Sequence, residues 1–352
     1  MFQPLEPLPS NLPAPTFCRR RLSSVHTNTT PTYSSQEAPT AAADEEIPTI
    51  DYFSLFSADT AHRSKALDCL SAACEHYGFF NLVNHGIPDG VIDGALSGIA
   101  DFFERTPVEE KSKYKKGDPG ARILWDARCH AGENREHLKL LARPTFHCPP
   151  NPPFFREALG EYESRLHEVK LGLARAMSLT LGQEESYIED AFELELGFDV
   201  AAMNHYPPNF MSKGTMGLAE HTDPGFIVSL VQDMDGGLQI LTHQGKWINV
   251  HIPPHAILIQ LGDQLELLTN GKYKSHIHRV LVGSYKTRRI SIGTLHGPSI
   301  NKFVAPTSEF VDDTHPPAYR GITYSEALEA NDRYEIEVQS CIEQLRILPA
   351  VV

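Results

Sequence analysis

Apolar residues recur along this chain in two rhythms, and the change falls near residue 200. Leu67, Leu70, Cys74 and neighbouring alanines return at helical spacing and predict a helix from Ala61 to His76. Ile92, Leu96, Ile99 and Phe103 form a second such stripe from Val91 to Phe103. Pro107 stands at the start of a short charged helix, Val108 to Lys116, where its missing N–H costs nothing. A long helix is predicted from about Phe155 to Leu181, with Gly182 as its C-terminal cap. Two short strands belong to this half, one at Ile47 to Tyr52 and one within Gly78 to Gly86. Residues 117–155 are rich in Gly, Pro, His and Arg without a clear period, the composition of a lid or binding loop.

From Met203 the period shortens to that of strands. Phe226 to Gln232 is followed by a turn at Asp235-Gly236-Gly237, and Leu238 to Leu241 resumes. Trp247 to Val250, Ala256 to Leu261, Ser275 to Val282 and Arg288 to Leu295 continue the series. Short strands about ten residues apart predict an antiparallel sandwich or barrel. A last helix is expected around Ser325 to Arg346, so the fold class is α+β.

Composition narrows the function. With 352 residues, 41% apolar and 22% charged, the chain has the profile of a soluble globular protein of one large or two ordinary domains. A formal charge of -14 leaves no basic field to gather phosphates, which argues against nucleic acid as a main partner. No apolar run is long enough for a membrane span. The six cysteines are scattered without a Cys-x-x-Cys pair, which speaks for reduced thiols and against a disulfide framework or zinc finger. Residues 1–45 are rich in Pro, Ser, Thr and Ala, carry Arg19-Arg20-Arg21, and cannot bury enough apolar surface to order themselves. A disordered extension on a cytoplasmic protein is expected; a plastid transit peptide is the alternative.

The candidate chemistry lies in the β half. His221-Thr222-Asp223 is followed, 55 positions beyond Asp223, by His278. Two histidines and a carboxylate make a facial triad, which leaves half of an iron coordination sphere open. On a strand, His221 and Asp223 would project to one face and Thr222 to the other. The third ligand must come from another strand, where His276 and His278 share a face, so spacing alone allows either. His205, His243, His251, His255 and His296 are expected at ordinary surface or satisfied polar positions.

These motifs resemble a known family. Gly78-Phe79-Phe80-Asn81-Leu82-Val83-Asn84-His85-Gly86-Ile87-Pro88 looks like the N-terminal signature of the plant-type iron(II)/2-oxoglutarate-dependent dioxygenases, the isopenicillin N synthase-like family. Asn204-His205-Tyr206-Pro207-Pro208, His221-Thr222-Asp223-Pro224, Gly236-Gly237-Leu238-Gln239, Gly262-Asp263, Thr269 to Ser275 and Arg289-Ile290-Ser291 follow in that family's order. The resemblance spans Ile47 to Arg346. It implies a double-stranded β-helix, or jelly roll, as the core (195–300), an N-terminal mixed region (46–182) and a helical tail (301–352). Its Ser-x-x-His-Arg-Val pattern places the metal ligand at His278 and leaves His276 beside the metal shell or in a substrate pocket.

The resemblance also implies Fe(II), 2-oxoglutarate and dioxygen as reactants, with ascorbate as a supporting reductant. Arg289 suits the distal carboxylate of 2-oxoglutarate because a planar guanidinium donates two parallel hydrogen bonds. Ser291 lies two residues on, hence on the same strand face, while Arg288 faces away and is expected to be solvated. By resemblance, Tyr206 donates a further hydrogen bond and Asn204 lies nearby. The implied reaction releases succinate and CO2 while hydroxylating or O-demethylating a small metabolite. The tail Pro317 to Tyr324 is similar to plant members acting on specialised metabolites, which points to a phenolic such as a flavonoid, with a terpenoid or gibberellin-type acid second. Leu295 stands where the family often has a substrate-facing phenylalanine; Phe226, Phe79 or Phe80 could compensate or belong to the core. Asn209-Phe210 replaces the usual Cys-Pro, and Gln260 a common asparagine. An iron oxidase independent of 2-oxoglutarate, a non-catalytic jelly-roll binding protein and a metal hydrolase are the rivals. A monomer binding small molecules is expected.

Overall fold

In the computed structural model, the described residues are 43–44, 46–115, 121–127, 133–208, 215–234, 236–282, 287–333 and 341–347. The predicted extension falls outside them except at its end. Ala43–Asp44 (β1) pairs as a strand inside the stretch expected to lack order. Helix α1 (Thr60–His76) opens on Asp59, whose carboxylate accepts the N–H groups of Ala61 and His62 at 2.9 and 3.2 Å. Helix α2 (Asp89–Arg105) and the short α3 (Val108–Lys111) follow. Helix α4 (Pro153–Thr180) starts on proline and stops at Gly182, which takes φ +77°. There Gly182 N–H donates to Leu179 O at 2.9 Å and Gln183 N–H to Ser178 O at 3.0 Å, a paired closure of the last turn. Helices α5 (Tyr187–Phe192) and α6 (Asp263–Leu268) lie further along the chain. The expected C-terminal helix is two helices, α7 (Tyr324–Arg333) and α8 (Cys341–Leu345); the stretch between them lies outside the described residues.

The remaining strands are β2 (Thr49–Asp51), β3 (Phe79–Val83), β4 (Ile123–Asp126), β5 (Glu136–Leu141), β6 (Val200–Tyr206), β7 (Thr215–His221), β8 (Ile227–Gln232), β9 (Leu238–Leu241), β10 (Trp247–Asn249), β11 (Ile257–Leu261), β12 (His278–Val282), β13 (Arg289–His296), β14 (Phe303–Val304) and β15 (Ile322–Thr323). A large sheet has the order β2-β3-β11-β8-β13-β6-β5-β4 and a smaller one β1-β10-β9-β12-β7. From β6 to β13 the chain passes back and forth between the two sheets. That alternation is the double-stranded β-helix, a jelly roll.

Two expectations change here. Residues 117–155 are not merely a loop: β4 and β5 extend the large sheet, with β5 paired antiparallel to β6. The turn after Gln232 does not join neighbours in one sheet; it carries the chain from β8 in the large sheet to β9 in the small one.

Both faces of the large sheet are buried, and alternate residues of each strand serve different cores. Phe80, Leu82, Met203, Ile257, Ile259, Ile290 and Ile292 join the main core with α1, α2 and α4. Phe79, Tyr206 and Leu258 instead pack with Leu238, Ile240, Val280 and Val282 of the small sheet. A strand buried on both faces loses the apolar/polar alternation that would reveal its orientation. No helix among the described residues is long and apolar enough to cross a membrane.

Candidate active site

The small sheet brings the two histidines together. His221 ends β7, His278 begins β12, and the antiparallel ladder makes them cross-strand partners with ring centroids 4.1 Å apart. Asp223 lies just beyond the end of β7 and not on it, so strand alternation does not place it. It nevertheless reaches both rings: Oδ1 is 3.7 Å from His221 Nε2, and Oδ2 is 3.5 Å from His278 Nε2. Ligand atoms of the three side chains all lie within 4.8 Å of one another. Each imidazole turns Nδ1 to a main-chain carbonyl, His221 to Ala219 at 2.7 Å and His278 to His276 at 3.3 Å. Donation from Nδ1 selects the tautomer whose Nε2 lone pair faces the carboxylate. Burial and the neighbouring His278 push His221 down to about 4, so it is neutral and able to ligate at pH 7.

A second polar group lies on the inner face of the large sheet. In the β13–β6 register Arg289 stands opposite Tyr206, and Ser291 opposite Asn204, so the four predicted residues form one block on two adjacent strands. Arg289 is 1% exposed; its Nη2 donates to Gln232 Oε1 at 2.7 Å, while Nε and Nη1 have no partner. The buried hydroxyl of Tyr206 makes no well-formed hydrogen bond, although the Arg289 guanidinium stands 5.0 Å from the centre of its ring and is close enough to favour its ionised form. Burial raises its pKa and keeps it a donor. A cation and a hydroxyl held inside a protein with unused donors are costly unless an anion completes them. Asn204 already accepts from Arg135 Nη1 through Oδ1, which leaves its amide side for a ligand.

The remaining predicted residues divide. Leu295 is half-buried and shares the β13 face of Arg289 and Ser291. Phe226 does not line a pocket. It is fully buried in the main core against Phe192, with ring centroids 5.5 Å apart. His276 precedes β12, so the shared strand face with His278 does not hold; it packs edge-on to Phe79 at 5.5 Å and against His243 at 4.1 Å. Arg288 is not simply solvated but pairs with Glu104 and Asp233. His296 is buried in a charged network beneath α4. Three neighbours make contacts that the sequence does not show, although Gln232-Asp233 and Gly262-Asp263 both follow the family's order. Gln232 is recognisable only from its register opposite Ser291. Arg135 sits in the segment taken for a loop. Asp263 lies within the Gly-Asp pair without any sign of what its side chain holds.

Two imidazoles, one carboxylate and a buried arginine with spare donors define a mononuclear metal oxygenase fed by a dicarboxylate cosubstrate. Comparison with known proteins agrees. Residues 197–298 match the 2OG-Fe(II) oxygenase superfamily, and residues 47–147 match the N-terminal region described as non-haem dioxygenase in morphine synthesis. The chain is 32% identical over 329 residues to 2-oxoglutarate-dependent dioxygenase 19 of Oryza sativa subsp. japonica, covering 90% of this chain and 97% of the relative. It is 34% identical over 315 residues to flavanone 3-dioxygenase 2 of the same organism, covering 86% and 89%. A crystal structure of JOX2 in complex with 2OG, Fe and JA superposes with a TM-score of 0.78 at 28% identity, covering 89% of this chain and 92% of that one. The chain belongs to the 2-oxoglutarate and Fe(II)-dependent oxygenases. It is an oxidoreductase that uses iron and 2-oxoglutarate.

Proposed function

We propose that His221, Asp223 and His278 hold the Fe(II), that Arg289, Tyr206, Ser291 and Asn204 receive the distal carboxylate of 2-oxoglutarate, and that the substrate is a small phenolic of the flavonoid type. The observation that carries this reading is the Arg289 guanidinium, buried with two unused nitrogens beside the unused Tyr206 hydroxyl. Bound at the triad, iron would activate dioxygen, the oxidant whose two oxygen atoms end in succinate and in the oxidised substrate as 2-oxoglutarate loses CO2. The chain supplies placement. The Nδ1 bonds of His221 and His278 fix the rings, Arg289 and Tyr206 orient the cosubstrate from its far end, and the buried sheet interior excludes water. Hydroxylation then gives an alcohol, and reaction at an O-methyl group gives the free phenol and formaldehyde.

The flavanone 3-dioxygenase relative supports a planar phenolic. A second reading, an apolar carboxylic acid of the terpenoid or gibberellin type, draws on the JOX2 complex with JA and on Leu295 in place of an aromatic ring. Anaerobic reconstitution with Fe(II) and 2-oxoglutarate separates them. After admission of oxygen, flavanones, flavonols and their methyl ethers should drive succinate release and a matching change in product mass. Succinate released only with the acids would overturn the phenolic reading, and turnover without 2-oxoglutarate would overturn the cosubstrate assignment.

A further inference from the structure

We propose that Asp263 is a positioning residue that ties together the two arms carrying the metal ligands; this rests on the triad assignment above. The first arm runs from His221 to Gly225, the second from Ser275 to His278. The β7–β12 ladder sets the spacing of His221 and His278, because they are cross-strand partners. It cannot set Asp223, which lies past the last residue of β7. Some other connection must hold that carboxylate against His278.

Helix α6 supplies it. Its first N–H groups would otherwise lack partners. Instead Gly262 N–H donates to Phe226 O at 2.9 Å, Asp263 N–H to Asp223 O at 2.9 Å, and Gln264 N–H to Gly225 O at 3.0 Å. The approach is so close that a Cβ on Gly262 would stand 2.2 Å from the Gly225 carbonyl oxygen. The Asp263 side chain, 3% exposed, then spans both arms. Its Oδ2 accepts the Thr222 hydroxyl at 3.0 Å, and its Oδ1 accepts the Ser275 hydroxyl at 2.6 Å. Thr222 is the residue before Asp223 and Ser275 lies three before His278, so one carboxylate spans the gap the ladder leaves. Glu266, one turn on, accepts the Ser275 N–H at 2.8 Å and Tyr319 OH at 2.5 Å, which anchors the second arm to the C-terminal tail.

The test uses metal-free full-length chain titrated with Co(II), read by its visible absorption, with thermal melting of the metal-free form alongside. Thr222→Val and Ser275→Ala should each weaken Co(II) binding by about 10-fold, and Asp263→Ala by up to about 100-fold, the range seen when groups behind metal ligands are removed. In an Asp263→Ala background Thr222→Val should add nothing, and Ser275→Ala only the small effect of losing its longer contact with Glu266 Oε2 at 3.2 Å. Asp263→Asn should recover most of the affinity, because a carboxamide still meets both rotatable hydroxyls. Unchanged Co(II) affinity in Thr222→Val and Ser275→Ala, with melting preserved, overturns the proposal. So does a full multiplicative effect of those two in the Asp263→Ala chain. Should Asp263→Ala not fold, the two hydroxyl variants and Asp263→Asn decide alone. Failure of the wild-type chain to take up Co(II) would strike the triad assignment itself, a separate and recognisable result.

Discussion

On the face of β13 turned towards the helices, Thr294 donates its hydroxyl to Glu163 at 2.8 Å, and His296 lies between Ser229 and Asp199 at 3.0 and 3.3 Å. Asp199 also accepts from the buried Lys170 at 2.8 Å. On the opposite face of the same strand, Arg289 has one protein hydrogen bond and two unused nitrogens. The neutral exceptions on the helix side, Tyr162 and Tyr324 hydroxyls and His167 Nδ1, carry no formal charge to compensate. The helix face is a closed polar network whose members answer one another. The inner, open face leaves a buried cation with donors that the protein does not fill, the feature on which the proposed cosubstrate site rests. Burial alone therefore does not mark a functional group; an unanswered charge does.

Asp223→Ala tests the open side most severely. Turnover should drop below detection by succinate release, and Co(II) should no longer bind, while the metal-free chain still folds. On the closed side, Asp199→Ala strands the Lys170 ammonium without its counter-charge. Urea unfolding should show a loss of about 3–5 kcal/mol, the usual effect of breaking a buried pair, with KM for 2-oxoglutarate unchanged in the folded fraction.

Glu163 gives the closed network a pH dependence. Burial pushes its carboxyl up to about 8, against the opposing hydrogen bond from Thr294, with Asp199 raising it and Lys170 and Arg143 lowering it. The folded pKa exceeds the unfolded one, so this contribution is complete below about pH 4.5 and is lost as pH rises through about 8. Denaturant titrations should show a decline on the order of a few kcal/mol across that window, and Glu163→Gln should flatten it.

Arg289→Met sharpens the contrast further. KM for 2-oxoglutarate should rise about 100-fold, roughly the 2–3 kcal/mol of charged hydrogen bonds lost. The urea midpoint should stay level or increase, because an uncompensated buried cation has been replaced by apolar volume. A chain destabilised as strongly as Asp199→Ala would break the distinction between open and closed faces.

Much of this arrangement was legible in the residues. Helices α1, α2 and α4 fall within two positions of their predicted ends, and at α1 and α4 the caps Asp59 and Gly182 are local chemistry. The short α5 and α6 gave no such pattern, and the last predicted helix is two. Arg289 and Ser291 were placed on one face by period two, and the ladder bears that out. The failures share a cause as well. Period two placed Phe226 beside a strand but could not say which of two buried faces it served. His276 was assigned by alternation to a strand that begins two residues later. Strands β4 and β5 are short and lie at the edge of the large sheet, so their pattern was lost among Gly, Pro and charged neighbours.

The chain by itself determined which ligand types exist, their spacing, and the α+β order of elements, since these follow from identities and local periods. Only the tertiary structure decided which polar groups are answered and which are left open. Gln232 meeting Arg289, Arg135 meeting Asn204 and Asp263 meeting both Thr222 and Ser275 are contacts between segments distant in sequence. Their partners are chosen by strand register and by helix placement, and no local rhythm of side chains encodes either.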